Sequence, residues 1–225
     1  MYKKIGLLII FSFIGITIYS IVVVYQASNY TKDVVLKDLQ NNEWRIYKGA
    51  TQPISLEIGD LSKKQKDWLL SIQDPDFANH KGIDLSTPGA GMTTLTQSIV
   101  KKLYFEKFKP GIRKIKQSLI ARFVVHNLLG KKEQIVLFVN SAYMGSFDGK
   151  PVFGFSKASE IYFGKSFSQL SDEEYLSLVA MLIGPDRFNV REAPQQHKER
   201  VSRIKEVIAG RYKPKDLTDV YYDRT

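Results

Sequence analysis

Gln73–Asp84 reads QDPDFANHKGID, a polar, turn-forming stretch between an apolar helical run and a loop rich in glycine and threonine. Asp74-Pro75 and His80-Lys81-Gly82 are turn signals. Upstream, Ser62 is placed to cap a helix whose face carries Leu61, Gln65, Trp68, Leu69 and Ile72, so that helix delivers Gln73 at its C-terminal end. Downstream, Thr87-Pro88-Gly89-Ala90-Gly91 is a loop, and Met92, Leu95, Ile99 and Leu103 recur every three or four residues, the pattern of a helix entered from a glycine loop. Backbone N–H groups at such a start can bind an anion. Gly89-x-Gly91 follows no clear strand and lacks a third glycine, which excludes a dinucleotide-binding reading.

Just beyond this stretch the chain turns strongly basic. Between Lys101 and Lys132 ten Lys and Arg residues face one acid, Glu106, so nearly all of the formal charge of +10 is local. Such a field attracts phosphates, whether in nucleic acid, lipid headgroups or a diphosphate; a solvated helix face is the plain alternative. The absence of cysteine excludes disulfides and thiolate metal sites.

Ile5–Tyr25 carries no charge over 21 positions, enough helix to match the ~30 Å core of a bilayer. Lys3 and Lys4 precede it without an acid, which predicts a single pass with the N-terminus inside and the remainder outside. The apolar run exceeds a signal peptide's usual ~7–15 residues, so an uncleaved anchor is expected. Residues 1–4 then form a cytoplasmic tip, 5–25 the anchor, 26–60 a stalk or linker in which the alternation of Ile54, Leu56 and Ile58 suggests a short strand or an extended stalk, 61–212 the main domain and 213–225 a polar tail. Within the main domain, Ile112, Ile115, Leu119, Ile120 and Phe123 form a helical stripe, and Lys131–Tyr143 reads as a helix. Gly145–Gly154 is a glycine-containing loop. Lys157–Phe163 and Ser171–Ile183 are helical, the latter with acids in its first turn, and a charged helix spans Gln195–Arg211.

The order of these motifs resembles glycosyltransferase family 51, the peptidoglycan glycosyltransferases, over about Leu61–Asn189. The family's E-D-x-x-F-x-x-H-x-G-x-D is matched by Asp74, Phe77, His80, Gly82 and Asp84. Its G-G-S-T-I-T-Q-Q is similar to Gly91–Ser98, and its R-K-x-x-E begins at Arg113 and Lys114. Asn140 and Gly145 match L-N-x-x-x-x-G, while Ala158, Tyr162, Phe163, Gly164 and Lys165 match A-x-x-Y-F-G-K. The resemblance implies a mainly α fold: a lysozyme-like glycosyltransferase head with a small membrane-proximal lobe around Leu103–Pro110, preceded by one transmembrane helix. It implies lipid II and glycan strands as ligands, with Asp74, Phe77, His80, Thr94, Thr96, Gln97, Lys101, Arg113, Lys114 and Asn140 binding substrate. It admits a divalent metal, Mg or Mn, with the diphosphate. It also implies the bacterial cytoplasmic membrane as location and other wall-synthesis proteins as partners. An extracytoplasmic domain leaves no place for nucleic acid.

The chain departs from the family where the chemistry lies. Gln73 stands at the position of the general base and Gln117 at that of the second glutamate. An amide has no carboxylate to take a proton, and general-base help is worth ~10²–10⁴ in rate. Asp74 is adjacent but points roughly 100° from Gln73 if the turn is helical; Asp76 and Asp84 are the next acids, and Asp84 matches a family position present alongside the glutamate. Drift at Met92, Ser98 and Val136 favours natural divergence over a deliberate isosteric exchange. Two readings follow: a glycosyltransferase acting on lipid II, or a protein that binds lipid II or glycan, or scaffolds wall synthesis, without turnover. His80 reads as a hydrogen-bonder in its turn, and isolated His126 and His197 make no metal set. Leu103, Tyr104, Phe105 and Phe108 suit either a core or a membrane interface. Ser98/Lys101 and Ser202/Lys205 are chance Ser-x-x-Lys spacings with no accompanying K-T-G.

Overall fold

The computed structural model describes the backbone of residues 2–223 and the side chains of residues 10–223. Lys3 and Lys4, which carry the expected orientation, lie outside the described side chains, as do the last two residues of the tail. The chain is mainly α and starts as one long helix made of α1 (Tyr2–Tyr30), a π-helical turn (Thr31–Val35) and α2 (Leu36–Gln40). From Ile10 onward this helix is long and apolar enough to cross a membrane. Phe11, Phe13, Ile16 and Ile21 are exposed along it.

Towards its C-terminal end the helix changes partner. Val23, Ala27, Thr31 and Val35 recur every four residues and are buried, giving one stripe that packs on the rest of the protein. The Thr31 hydroxyl donates to Ala27 O at 2.7 Å and therefore accepts from the Tyr104 hydroxyl at 2.6 Å. Residues 26–60, expected as a stalk, thus differ from that expectation. A hairpin of β1 (Glu43–Arg45) and β2 (Thr51–Pro53) follows α2, and Trp44, Ile54 and Leu56 are buried in the common core. Residues 54–57, beyond β2, pair with no strand, and Ile58 lies in a turn. The Ile54 N–H donates to Asn42 O (2.9 Å), and a side chain holds the next two residues: Asn140 Oδ1 accepts from the N–H groups of Ser55 (2.8 Å) and Leu56 (3.1 Å), and Asn140 Nδ2 donates to Leu56 O (2.8 Å).

The core is built on α4 (Leu95–Tyr104), α7 (Lys131–Ser141) and α9 (Asp172–Met181). α7 is buried from Gln134 to its end, so its polar residues must find partners inside. Gln134 Oε1 accepts from the Thr96 hydroxyl at 2.8 Å and its amide donates to Leu129 O at 2.9 Å. Leu103, Tyr104 and Phe105, expected at a core or an interface, are core residues; Phe108 is half-buried and Lys107 and Lys109 are exposed. The capping signals hold. Ser62 opens α3 (Lys63–Gln73) and Ser171 opens α9, each through a reciprocal capping box.

Two elements differ from the sequence expectation. α5 (Ile112–Ile120), which continues through a π turn (Ala121–Val125) into α6 (His126–Leu128), buries Gln117, Ile120, Ala121 and Val124 at spacings of three and four. Ile112, Ile115 and Phe123 of the expected stripe are exposed. That apolar face adjoins α1, which packs against α5. The expected loop at Gly145–Gly154 is a hairpin of β3 (Tyr143–Phe147) and β4 (Lys150–Phe153). Asp148 and Gly149, with φ of 51° and 72°, form its two-residue turn, the geometry that matches strand twist. α8 (Phe155–Phe163) and α10 (Pro194–Ile208) complete the head.

Candidate active site

α3 ends at Gln73 because the backbone of Asp74 leaves helical geometry, with φ −163° and ψ 75°. The turn after it is held by Asp74 itself, which is fully buried. Its Oδ2 accepts from the N–H of Leu95, the first residue of α4, at 2.8 Å, and its Oδ1 lies 2.8 Å from His80 Nε2. His80 Nδ1 accepts from the Gly82 N–H at 3.0 Å. The proton of the neutral ring must therefore sit on Nε2, which donates to Asp74. A carboxylate at a helix N-terminus is stabilised there, so Asp74 ties the end of α3 to the start of α4. Lys131 closes the turn from below. Its ammonium donates to Phe77 O and to His80 O (3.0 Å) and lies 4.1 Å from the centre of the Phe77 ring. Gly82 is required in this turn: with φ of +88°, an added Cβ would come within 2.4 Å of Ala121 O.

Gln73, half-buried, faces a cleft of about 300 Å³. Its walls are the glycine loop from Gly89 to Thr93, Ser98 and Lys101 of α4, the end of α9 with Leu182 and Ile183, Arg200 of α10, and Val220. Two of the lining residues are cations and none is an aspartate or glutamate. Burial lowers the pKa of Lys101. Lys114 is pushed down to about 8, first by burial and then by Lys101. Its ammonium donates to Met92 O (2.7 Å) and Thr93 Oγ1 (3.0 Å), bracing the loop that forms the cleft wall. Arg200 is almost wholly buried, and burial lowers its pKa too. Its Nη1 donates to Val220 O at 2.7 Å, its guanidinium stacks 4.6 Å from the Tyr222 ring centre, and its Nε has no partner.

Of the residues expected at the site, only Gln73 and Lys101 line this cleft. Asp74, Phe77 and His80 brace the turn. Thr94 caps α4 and donates to Gly82 O at 2.9 Å, and Thr96 bonds Gln134. Gln97 donates to Ser118 Oγ at 2.9 Å and Arg113 to Lys107 O at 2.5 Å, while Asn140 is the clip on residues 55–56 and borders a separate cavity beside Trp44. Gln117 is fully buried; its amide donates to the Gln97 main-chain O at 2.6 Å and its Oε1 has no partner. Arg200 and Val220 were not expected. Arg200 shares a face with His197, Val201 and Ile204, at the spacing of a buried stripe, and that spacing was the available signal.

Residues 40–209 match the model of the Transglycosylase family. The chain belongs to that family. Among similar proteins are penicillin-binding protein 1B of Buchnera aphidicola, 30% identical over 68% of this chain and 21% of its own length, and penicillin-binding protein 1B of Haemophilus influenzae, 30% identical over 60% of this chain and 19% of its own. Penicillin-binding protein 1A of Pseudomonas aeruginosa is 26% identical over 70% of this chain and 20% of its own length. The chain therefore spans about a fifth of the curated relatives it matches. In this transglycosylase-family chain both positions expected to carry glutamate hold amides, Gln73 on the cleft and Gln117 buried against the main chain of Gln97. The cleft wall carries two cations, Lys101 and Arg200, and no carboxylate. Among the described residues no group of three or more His, Cys, Asp or Glu gathers for a metal. Mg or Mn prefers carboxylate oxygens, so the residues present do not fit a protein-held metal at the cleft.

Proposed function

We propose that this chain is a membrane-anchored transglycosylase-family protein of bacterial cell-wall synthesis that binds lipid II or glycan strands at the Gln73 cleft without glycosyl transfer. The observation that carries the reading is the composition of the cleft wall: Lys101 and Arg200 with no acid, beside an amide at the position of the base. Loss of general-base help alone costs ~10²–10⁴ in rate. A cationic wall retains its attraction for a diphosphate whether or not chemistry follows. The apolar helix from Ile10 and the exposed Ile112, Ile115 and Phe123 support a single pass through the cytoplasmic membrane with the head resting on its outer face. Other wall-synthesis proteins are the partners that such a binder would serve.

The family match over residues 40–209 favours a second reading, an active glycosyltransferase. Labelled lipid II separates the two. The proposed outcome is retained binding with no polymer above background, and polymer from Gln73→Glu together with Gln117→Glu if the remainder of the site is intact. Polymerisation by the unaltered chain at a rate comparable to the double variant overturns the binding-only reading.

A further inference from the structure

Residues 213–223, expected as a polar tail, form an ordered strap over the cleft. Its internal ties centre on two carboxylates. Asp219 Oδ2 accepts from the Tyr212 hydroxyl (2.7 Å) and the Lys215 N–H (3.0 Å), and Asp216 Oδ1 accepts from the Thr218 N–H (2.7 Å). The strap then satisfies three donors of the cleft wall with three carbonyls. Gly89 N–H donates to Asp216 O (2.9 Å), Gly91 N–H to Leu217 O (2.8 Å) and Arg200 Nη1 to Val220 O (2.7 Å). Tyr222 is sunk beside the end of α3, its hydroxyl 3.4 Å from Ile72 O, next to Gln73. The fit between loop and strap is close: an added Cβ on Gly89 would lie 2.8 Å from Pro214. The family match ends at residue 209, so the strap lies outside the matched region.

We infer that this strap is an autoinhibitory latch: it occupies the glycine-loop and Arg200 donors on the wall of the Gln73 cleft, and an anionic, lipid-linked diphosphate must displace it to bind. The donors are of the kind that hold phosphate oxygens, namely backbone N–H groups of a glycine loop and a guanidinium. Carbonyl oxygens now fill them, and a carbonyl is a weaker acceptor than a phosphate oxyanion. The exchange therefore favours a diphosphate over the strap once a lipid tail anchors the ligand. A site open for only a fraction of the time binds with affinity reduced by that fraction. The latch rests on the proposed function, since both invoke the same ligand class.

The structure supplies its own reporters. Gly89 and Gly91 amides are bonded to the strap, whereas Ala90 N–H donates within the loop to Thr87 O (3.1 Å) and serves as a control. Farnesyl diphosphate in detergent micelles is the probe, with amide hydrogen exchange and binding measured on the full chain, on a chain lacking residues 214–225, and on Asp219→Ala, which loosens the strap without removing Tyr222 from the core. The expected result is that the probe accelerates exchange of Gly89 and Gly91 relative to Ala90 in the full chain, and that truncation or Asp219→Ala tightens binding about tenfold. Equal affinity in the full chain and Asp219→Ala, with Gly89 and Gly91 still protected when the probe is bound, overturns the latch and leaves the proposed function standing. No binding by any form overturns the proposed function and the latch together.

Discussion

At the scale of single residues, the two glutamines are not equivalent. Gln73 is half-buried at the cleft, where an amide or a carboxylate can meet solvent or ligand. Gln117 sits where the amide is needed, because its N–H bonds Gln97 O at 2.6 Å in full burial. Gln117→Glu removes that donor and sets a carboxylate oxygen against a carbonyl oxygen. The expected cost at neutral pH is about 1–3 kcal/mol, the penalty of an unsatisfied buried group. A protonated carboxyl restores a donor, so the folded state raises this group's pKa above its unfolded value near ~4.3. The penalty is then full above the raised pKa, shrinks as pH falls from there towards ~4.3, and is gone below ~4. Urea midpoints of the variant and the unaltered chain, compared at both pH values, check this. Equal midpoints at neutral pH would show that the amide is not what position 117 requires.

At the scale of elements, the cation-rich pair α4 and α5 sets how the cleft responds to pH. Lys102 and Lys114 are each pushed down to about 8, by burial first and by Lys101 second. Their folded pKa values lie below the unfolded one, so folding opposes their charge at neutral pH. That opposition is lifted as pH rises through about 8 towards the unfolded value, and stability gains. Affinity for an anion at the cleft moves the other way, falling as Lys114, bonded to the cleft loop at Met92 and Thr93, loses charge. A diphosphate probe is expected to bind progressively more weakly between about pH 7 and about pH 9.5, with Lys114→Gln flattening the profile. A profile equally steep in that variant removes Lys114 from the anion's surroundings.

At the scale of the whole molecule, the N-terminal helix belongs to two environments. Its exposed apolar part suits a bilayer, while Val23, Ala27, Thr31 and Val35 belong to the core of the head. Asp38 extends that attachment through a two-pronged pairing with Arg45, at 2.6 Å and 2.5 Å. A chain beginning at residue 26 keeps most of this stripe and is expected to fold with modest loss. A chain beginning at residue 41 loses Thr31, Val35 and Asp38, leaving the buried Tyr104 hydroxyl without its partner. A loss of about 2–5 kcal/mol is expected from the emptied apolar positions and the orphaned hydroxyl together. Thermal unfolding of the two truncations distinguishes them; equal stability would return residues 26–40 to the role of a linker.

Local signals in the sequence determined the helical architecture, the capped starts of α3 and α9, the long apolar helix and the family, because periodicity, capping residues and motif order depend on neighbours along the chain. The two amides at the positions where the resemblance expects glutamate were also plain from sequence alone. Long-range packing decided the rest. It turned Asp74, His80, Thr96 and Asn140 inward as braces, since a buried polar side chain takes whichever partner the fold places within reach. It put Arg200 on the cleft from a helix about 130 residues downstream of Gln73. It folded residues 213–223 over the glycine loop whose N–H groups looked free from sequence. Those contacts join segments far apart in the chain, and their geometry exists only once the core has closed.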